Sequence, residues 1–264
     1  MAYLDADFLA SGDGRPLRIL AEYLEPLRRF KAQNIQDTVV LFGSARVHSR
    51  ERAELALSEH MSGGAVDDLA LARARKAVEW SRFYEDARTL AKLLTTWSMS
   101  LDSPLHRFVV TSGGGPGIME AANRGAHEAG GGSYGLNIIL PQEQKENPYV
   151  DESIEFQYFF TRKVCLVKYS CAFIVMPGGL GTLDELFEAA TLIQCRKIGP
   201  FPLILMGAKF WNGLREWGQD MMEEGVFARD EIGFGYVTDS PKEAVDLIVR
   251  SLPAAVRSQL KPRE

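Results

Sequence analysis

Short apolar stretches rich in β-branched residues recur along the chain and alternate with longer segments of helical periodicity. Most of the short stretches show no strict alternation of apolar and polar residues, which is typical of strands buried on both faces of a sheet. The longer segments carry apolar residues every three or four positions, as amphipathic helices do. The predicted strands cover residues 38–42, 108–111, 134–140, 172–176, 202–206 and 236–238, and the predicted helices cover residues 17–33, 69–94, 118–130, 183–193, 210–224 and 241–251.

This alternation predicts an α/β fold, namely a doubly wound, mainly parallel sheet with helices on both faces. Neither a low-complexity linker nor an internal repeat divides the chain. We therefore predict an N-terminal helical arm over residues 1–36 and a single domain over residues 37–264. A partly charged segment near residues 47–72 is expected to form an irregular insertion after the first strand.

Composition and charge exclude several classes of protein. Of the 264 residues, 46% are hydrophobic and 25% are charged, and the net charge is −5, as in ordinary globular proteins without a nucleic-acid partner. No apolar run reaches the roughly 18 residues of a membrane-spanning helix, and residues 1–5 do not resemble a secretory signal, so we expect no membrane partner. The odd number of cysteines (Cys165, Cys171 and Cys195) indicates reduced thiols and a cytoplasmic location. The scattered histidines and cysteines predict no metal site.

The glycines of the first cluster follow the second predicted strand and open a helix. This segment reads Gly113-Gly114-Gly115-Pro116-Gly117-Ile118-Met119. Glycine lets the backbone approach an anion closely, and a helix N-terminus offers unpaired N–H groups and the positive end of the helix dipole. The segment therefore favours a phosphate site, although a tight turn that only packs helix against sheet is the plainer alternative.

A second cluster of glycines also leaves a strand and enters a helix, and it reads Pro177-Gly178-Gly179-Leu180-Gly181-Thr182-Leu183-Asp184-Glu185. Loops at the carboxyl ends of parallel strands face one crevice, where such sheets bind their ligands. Glu185 would then stand at the mouth of the crevice, available for acid–base chemistry. Thr182 and Glu185 also satisfy the capping-box spacing, so Glu185 could instead bond the backbone N–H of Thr182.

Two familiar nucleotide-binding signatures, G-x-G-x-x-G and the P-loop, are absent from the places where this sequence could carry them. The first strand ends in Phe42-Gly43-Ser44-Ala45-Arg46 rather than G-x-G-x-x-G, and the first glycine cluster has Ile118 where that pattern needs glycine. No P-loop is present. The sequence therefore favours a mononucleotide over a dinucleotide cofactor, with Gly43 and Ser44 lining the same crevice.

These residues together resemble the LOG ("Lonely Guy") family, in its longer bacterial branch. The second glycine cluster matches the family element P-G-G-x-G-T-x-x-E in full, the first is similar to its other glycine-rich element, and Arg162-Lys163 resembles the Arg-Lys pair between them. The resemblance covers roughly residues 39–207. It implies a Rossmann-like fold and a nucleoside 5′-monophosphate phosphoribohydrolase, which converts AMP or a cytokinin riboside monophosphate into free base and ribose 5-phosphate. It also implies a homodimer or larger homo-oligomer with active sites near the interface, and no cofactor.

The resemblance further implies that Arg162 and Glu185 are the catalytic pair. A carboxylate can stabilise the oxocarbenium-like transition state of glycosidic cleavage or activate water, and we assign that role to Glu185. Without the resemblance, Arg162 would be interpreted as a member of a surface ion pair. We expect the phosphate to be bound by Gly113, Gly114, Gly115, Gly117, Gly178, Gly179, Gly181 and Thr182, and other parts of the substrate by Gly43, Ser44, Met119 and Lys163.

Two other functions are alternatives to this interpretation. The older family label, lysine decarboxylase, requires pyridoxal phosphate and a Schiff-base lysine with supporting groups, and no lysine here has such surroundings in the sequence. A protein that binds a nucleotide or the molybdenum cofactor without turnover could use the same glycine loops. The presence of both Arg162 and Glu185 at the motif positions favours the enzyme.

Overall fold

The computed structural model describes residues 1–62, 67–140, 145–199, 201–226, 235–258 and 260. Among these described residues, seven strands form one sheet in the order β4-β3-β2-β1-β5-β6-β7, and each of their pairings is parallel. The sheet confirms the predicted fold class. The strands are β1 (Thr38–Phe42), β2 (Val109–Ser112), β3 (Ser133–Ile138), β4 (Glu152–Phe156), β5 (Ser170–Val175), β6 (Leu203–Met206) and β7 (Tyr236–Thr238).

Strand β4 is the one described strand that the hydrophobic pattern did not predict. Its sequence Glu152-Ser153-Ile154-Glu155-Phe156 has only two apolar residues, because the strand lies at the edge of the sheet and buries one face. The central strand β1, by contrast, is buried at all five positions, in keeping with its continuous apolar sequence.

Helices lie in the connections between consecutive strands, except between β3 and β4, where the described residues form no helix. A short 3₁₀ turn (Ala2–Leu4) precedes them. The helices are α1 (Ala6–Ala10), α2 (Arg15–Ala32), α3 (Arg50–Ser62), α4 (Asp68–Met99), α5 (Ile118–Glu128), α6 (Phe159–Lys168), α7 (Leu180–Gln194), α8 (Ala208–Glu223), α9 (Pro241–Ser251) and α10 (Ala254–Arg257).

The segment expected to be an irregular insertion is helical over most of its described length, so that expectation was wrong. Helix α3 is rich in alanine, leucine, arginine and glutamate, which favour helix. It buries only Ala53 and therefore shows no apolar stripe in the sequence. Part of the segment, residues 63–66, lies outside the described residues.

Two hydrophobic clusters, one on each face of the sheet, form the core. One face of β1, with Val39 and Leu41, packs in a cluster with α4, α5 and α9. The other face, with Val40 and Phe42, belongs to a cluster that contains Phe30 of α2, Leu166 of α6, Leu186 of α7 and Trp211 of α8. The helices therefore cover both faces, as predicted, and the N-terminal helix α2 contributes to the second cluster through Phe30.

The strand order places the topological switch point between β1 and β5. The chain proceeds from β1 through β2 and β3 to β4 on one side, and then returns to add β5 on the other side of β1. Ligands of such sheets bind at the carboxyl ends of the strands beside this point. No helix among the described residues is long and apolar enough to cross a membrane.

Candidate active site

A cleft of about 720 Å³ opens at the switch point, at the carboxyl ends of β1, β2 and β5. It is bounded by the loops that follow these strands and by the first turns of α5, α6 and α7. Its described lining consists of Phe42, Gly43, Ser44, Ala45, Arg46, Trp80, Gly113, Met119, Phe159, Arg162, Gly178, Gly179, Leu180, Gly181, Thr182, Asp184 and Glu185.

The loop after β1 holds the two glycine loops together. The Ser44 amide donates to the carbonyl oxygen of Pro177 at 3.1 Å, and the Ser44 carbonyl accepts from the Ile118 amide at 3.0 Å. Gly43 must be small, because a Cβ there would lie 2.7 Å from Cβ of Ile118. Gly43 and Ser44 therefore line the cleft, as expected, and also fix its floor.

A buried polar network supports the first glycine loop from behind. Asn147 donates from Nδ2 to the carbonyl oxygens of Gly114 and Gly115, both at 3.0 Å, and to Oδ1 of Asn123. The Ser112 hydroxyl also donates to Asn123 Oδ1, at 2.7 Å, and accepts from the Gly114 amide. Sequence reasoning missed Asn147, because its partners come from a segment more than 20 residues away.

The first glycine cluster divides into residues that face the cleft and residues that pack behind it. Gly113 and Met119 line the cleft, whereas Gly114, Gly115 and Gly117 are not among its described lining residues. Gly117 has φ +73°, and a Cβ there would overlap the backbone carbonyl of Ser44. The tight-turn interpretation therefore accounts for Gly117, while α5 begins beside the cleft with no side-chain cap at its N-terminus.

The second glycine cluster lies at the start of α7. Gly178, Gly179, Gly181 and Thr182 all line the cleft. The helix begins at Leu180, its N-cap is Gly179, and no side chain caps it. The capping-box alternative was wrong, because Thr182 lies inside the helix instead of at its N-cap. Glu185 is therefore in the second turn of α7, among the residues that line the cleft.

Arg162 and Glu185 form a buried ion pair in the cleft. Arg162 Nη1 lies 3.5 Å from Glu185 Oε1, and the two side chains are 11% and 7% exposed. Arg162 also donates from Nε to the Leu136 carbonyl oxygen at 2.7 Å. Gly113 makes room for the guanidinium, since a Cβ there would lie 2.6 Å from Arg162 Nη2. The surface-ion-pair interpretation of Arg162 was therefore wrong.

Burial determines the protonation behaviour of this pair. Desolvation raises the pKa of Glu185 from its ordinary value of 4.5 to about 7, against the opposing charges of Arg162 and Lys163. The second carboxylate oxygen, Oε2, is buried and has no hydrogen-bond partner among the described residues. A carboxyl group with a pKa near 7 can both accept and return a proton at neutral pH.

Lys163 binds the neighbouring helix and is not among the described lining residues. Its Nζ lies 3.0 Å from an Asp184 oxygen and 2.8 Å from a Glu188 oxygen, so it links α6 to α7. The structure thus gives Lys163 a role between helices, and the expected substrate contact stays a prediction. Among the described residues, no His, Cys, Asp and Glu side chains are grouped so that they could hold a metal ion.

Sequence reasoning also missed the apolar and basic residues at the rim of the cleft. Phe159, which is 54% exposed, lies one turn before Arg162 on α6, and Leu180, which is 86% exposed, begins α7. Trp80 comes from the middle of α4, and Arg46 follows the β1 loop. Phe159 lies three residues before Arg162, so its place beside Arg162 could have been predicted only if α6 had been predicted as a helix.

Comparisons with known proteins find relatives of this chain. A family model described as "possible lysine decarboxylase" matches residues 119–248. A cytokinin riboside 5′-monophosphate phosphoribohydrolase from Mycobacterium tuberculosis is 30% identical over 142 residues, which are 52% of this chain and 74% of that protein. The Arabidopsis thaliana cytokinin riboside 5′-monophosphate phosphoribohydrolase LOG5 is 34% identical over 114 residues, which are 42% of this chain and 46% of that protein.

Among solved structures, the molybdenum cofactor binding protein of Rippkaea orientalis is similar with a TM-score of 0.46 and 19% identity, over 80% of this chain and 93% of that one. The sequence similarity to the Mycobacterium tuberculosis protein extends over most of that relative's length. The chain therefore belongs to the LOG family, the family of the cytokinin riboside 5′-monophosphate phosphoribohydrolases.

Proposed function

We propose that this protein hydrolyses the N-glycosidic bond of nucleoside 5′-monophosphates and releases free base and ribose 5-phosphate. The observation that carries the proposal is the buried Arg162–Glu185 pair, which lies in one cleft with two uncapped helix N-termini. AMP and cytokinin riboside monophosphates are the proposed substrates. The names of the family relatives support this choice.

The two helix N-termini supply the phosphate site in this proposal. The first turns of α5 and α7 leave backbone N–H groups without side-chain caps, and each helix end carries roughly half a positive charge. Gly178, Gly179 and Gly181 let a phosphate approach the start of α7 closely. Arg46 lines the same cleft and adds a positive charge. A substrate fixed by its phosphate presents its sugar in a defined orientation.

Glu185 supplies the acid–base chemistry. In the proposed reaction the bond between C1′ and the base nitrogen breaks, and its electron pair leaves with the base. A water oxygen bonds to C1′, Glu185 accepts one proton from that water, the departing base nitrogen takes a proton from solvent, and Glu185 gives its proton back to solvent. The ionised carboxylate also stabilises the positive charge that develops on the sugar. Its raised pKa allows the proton to be returned after each turnover.

Arg162 orients Glu185 and neutralises its charge. Its guanidinium is held between the Leu136 carbonyl and the Glu185 carboxylate. The apolar side chains of Trp80 and Phe159 at the rim provide surfaces against which a planar base can pack.

Exposed apolar side chains and free thiols support the assembly and the location that we propose. Phe159, Phe160 and Val164 expose an apolar strip of α6 beside the cleft. This strip supports a homodimer or larger homo-oligomer with the active site near the interface. The three cysteines are unpaired, which supports a cytoplasmic location.

The test compares Glu185→Ala with the wild-type protein in assays of ribose 5-phosphate release from AMP. We expect a fall of at least about 100-fold, the usual scale for loss of a general acid–base group. Glu188→Ala is the matched control, because Glu188 lies one turn further along α7, pairs with Lys163 and should leave most of the activity. Unchanged release by a folded Glu185→Ala protein would refute the mechanism. Wild-type protein that binds AMP and yields no base would favour the non-catalytic carrier.

A further inference from the structure

We propose that the N-terminal helix α2 positions the catalytic Arg162, with Glu22 as the positioning residue. The inference rests on the proposed function, since it assumes that Arg162 acts in turnover. It assigns a role to a segment that lies before the first strand and outside the matched family region.

Glu22 caps the helix that carries Arg162. Its Oε1 accepts from the Gln157 amide at 2.8 Å, and its Oε2 accepts from the Tyr158 amide at 3.3 Å. Tyr158 is the N-cap residue of α6, and its own side chain makes no capping bond. Glu22 therefore satisfies amides at this end of α6 and places a negative charge at the positive end of its dipole.

The capped residue is joined directly to Arg162 through the backbone. The carbonyl oxygen of Tyr158 accepts the Arg162 amide at 3.2 Å, which makes the first turn of α6. The guanidinium of Arg15, also on α2, lies 5.4 Å from the centre of the Tyr158 ring. Displacement of Tyr158 would thus displace Arg162 as well.

The same helix also binds the far end of α6. Tyr23, next to Glu22, accepts a hydrogen bond at its hydroxyl oxygen from Nζ of Lys168, the last residue of α6, at 2.7 Å. The Lys168 ammonium lies 4.0 Å from the centre of the Tyr23 ring. Two adjacent residues of α2 therefore hold both ends of α6, and Arg162 lies between those ends.

Small movements of α6 matter because Arg162 is bound on two sides. Its guanidinium spans the Leu136 carbonyl and Glu185 at 2.7 and 3.5 Å. Misplacement of a catalytic group by about 1 Å can lower a rate by about 100-fold. Loss of the Glu22 carboxylate should shift the first turn of α6 by less than about 1 Å, and the rate should therefore fall by less than about 100-fold.

The experiment compares Glu22→Ala and Glu22→Gln with Glu25→Ala as the control. Glu25 is on the same helix and its carboxylate binds Arg28 and Arg29 of that helix. We expect Glu22→Ala to lower kcat by about tenfold, with KM changed by less than about twofold. Glu22→Gln, which keeps one acceptor, should have a smaller effect, and Glu25→Ala should match the wild type.

In an Arg162→Ala background, Glu22→Ala should cause no further loss of kcat, because both changes act through one group.

Hydrogen exchange of the amides of residues 157–158 tests the cap independently of turnover. Exchange should accelerate in Glu22→Ala and stay unchanged in Glu25→Ala. Unchanged exchange in Glu22→Ala would overturn the cap, and additive losses in the double variant would overturn the link to Arg162. If Arg162→Ala retains full activity, the catalytic role of Arg162 and the positioning role fall together, whereas wild-type protein that releases no base from AMP would overturn the proposed function itself. If Arg162→Ala is inactive but Glu22→Ala turns over normally, only the positioning role falls.

Discussion

Replacement of Glu185 by glutamine should abolish turnover and yet stabilise the protein at alkaline pH. The carboxyl group is 7% exposed, and burial raises its pKa from 4.5 to about 7. A carboxyl whose pKa is higher in the folded than in the unfolded protein favours folding when protonated. The contribution of Glu185 to the free energy of unfolding is complete below pH 4.5 and is lost as the pH rises to about 7. Glutamine has the same shape and never ionises.

The size of the effect follows from the two pKa values. Ionisation of Glu185 costs the folded state about 3 kcal/mol at pH 8 and less than about 1 kcal/mol at pH 5. The stabilising effect of Glu185→Gln should therefore be greater at pH 8 than at pH 5 by about 2.5 kcal/mol. With an unfolding entropy of about 2.1 cal/mol/K per residue over 264 residues, this difference corresponds to about 5 °C in Tm.

Calorimetric melting of the wild type and Glu185→Gln at pH 5 and pH 8 measures this difference. Glu188→Gln controls for the loss of one negative charge from α7, because its carboxylate is paired with Lys163 at the surface of the same helix. If the difference in Tm between Glu185→Gln and the wild type is the same at pH 5 and pH 8, the pKa of Glu185 is not raised in the folded protein. The proton-shuttling role that depends on its raised pKa would then be wrong.

Three further changes test the walls of the cleft. Gly113→Ala should fold but lower kcat by about tenfold, because the new methyl group would press on the Arg162 guanidinium; steady-state kinetics with AMP measures this loss. Gly117→Ala should destabilise the protein by more than about 2 kcal/mol in urea unfolding, since it combines a left-handed backbone with overlap on the Ser44 carbonyl. Asn147→Ala should cost about 2 kcal/mol in the same measurement and raise KM for AMP, because the Gly115 carbonyl loses its buried donor and the Gly114 carbonyl keeps only the backbone amide of residue 147. A free energy of unfolding equal to that of the wild type in Gly117→Ala and Asn147→Ala would contradict the packing described for the first glycine loop.

The central fold was predictable because buried parallel strands have an unambiguous apolar sequence. Strands β1 and β7 and helix α9 begin and end where the pattern placed them. The failures at β4 and α3 lie where burial is slight, and helix α6, which buries Thr161, Cys165 and Leu166, was also not predicted. Strand β4 is at the sheet edge, and helix α3 buries one alanine, so neither leaves a periodic apolar signal.

The candidate site was predictable where local sequence determines geometry. The second glycine loop and Glu185 adopt the strand–loop–helix arrangement that the spacing predicts. Contacts between distant segments could not be predicted in the same way. Asn147 reaches back to the first glycine loop, and Glu22 reaches a helix 135 residues later, and no local pattern encodes either approach. The motif position of Lys163 predicts a substrate contact, and the structure adds ion pairs with α7 that the sequence did not indicate.

The most direct test of the central claim is a comparison of AMP with adenosine as substrates, with adenine, ribose 5-phosphate and inorganic phosphate all quantified. We expect equal amounts of adenine and ribose 5-phosphate from AMP. We also expect a kcat/KM for adenosine that is lower by at least about 100-fold, because the phosphate contacts orient the sugar for cleavage. Release of inorganic phosphate with an intact nucleoside, or AMP binding with no adenine formed, would contradict the central claim.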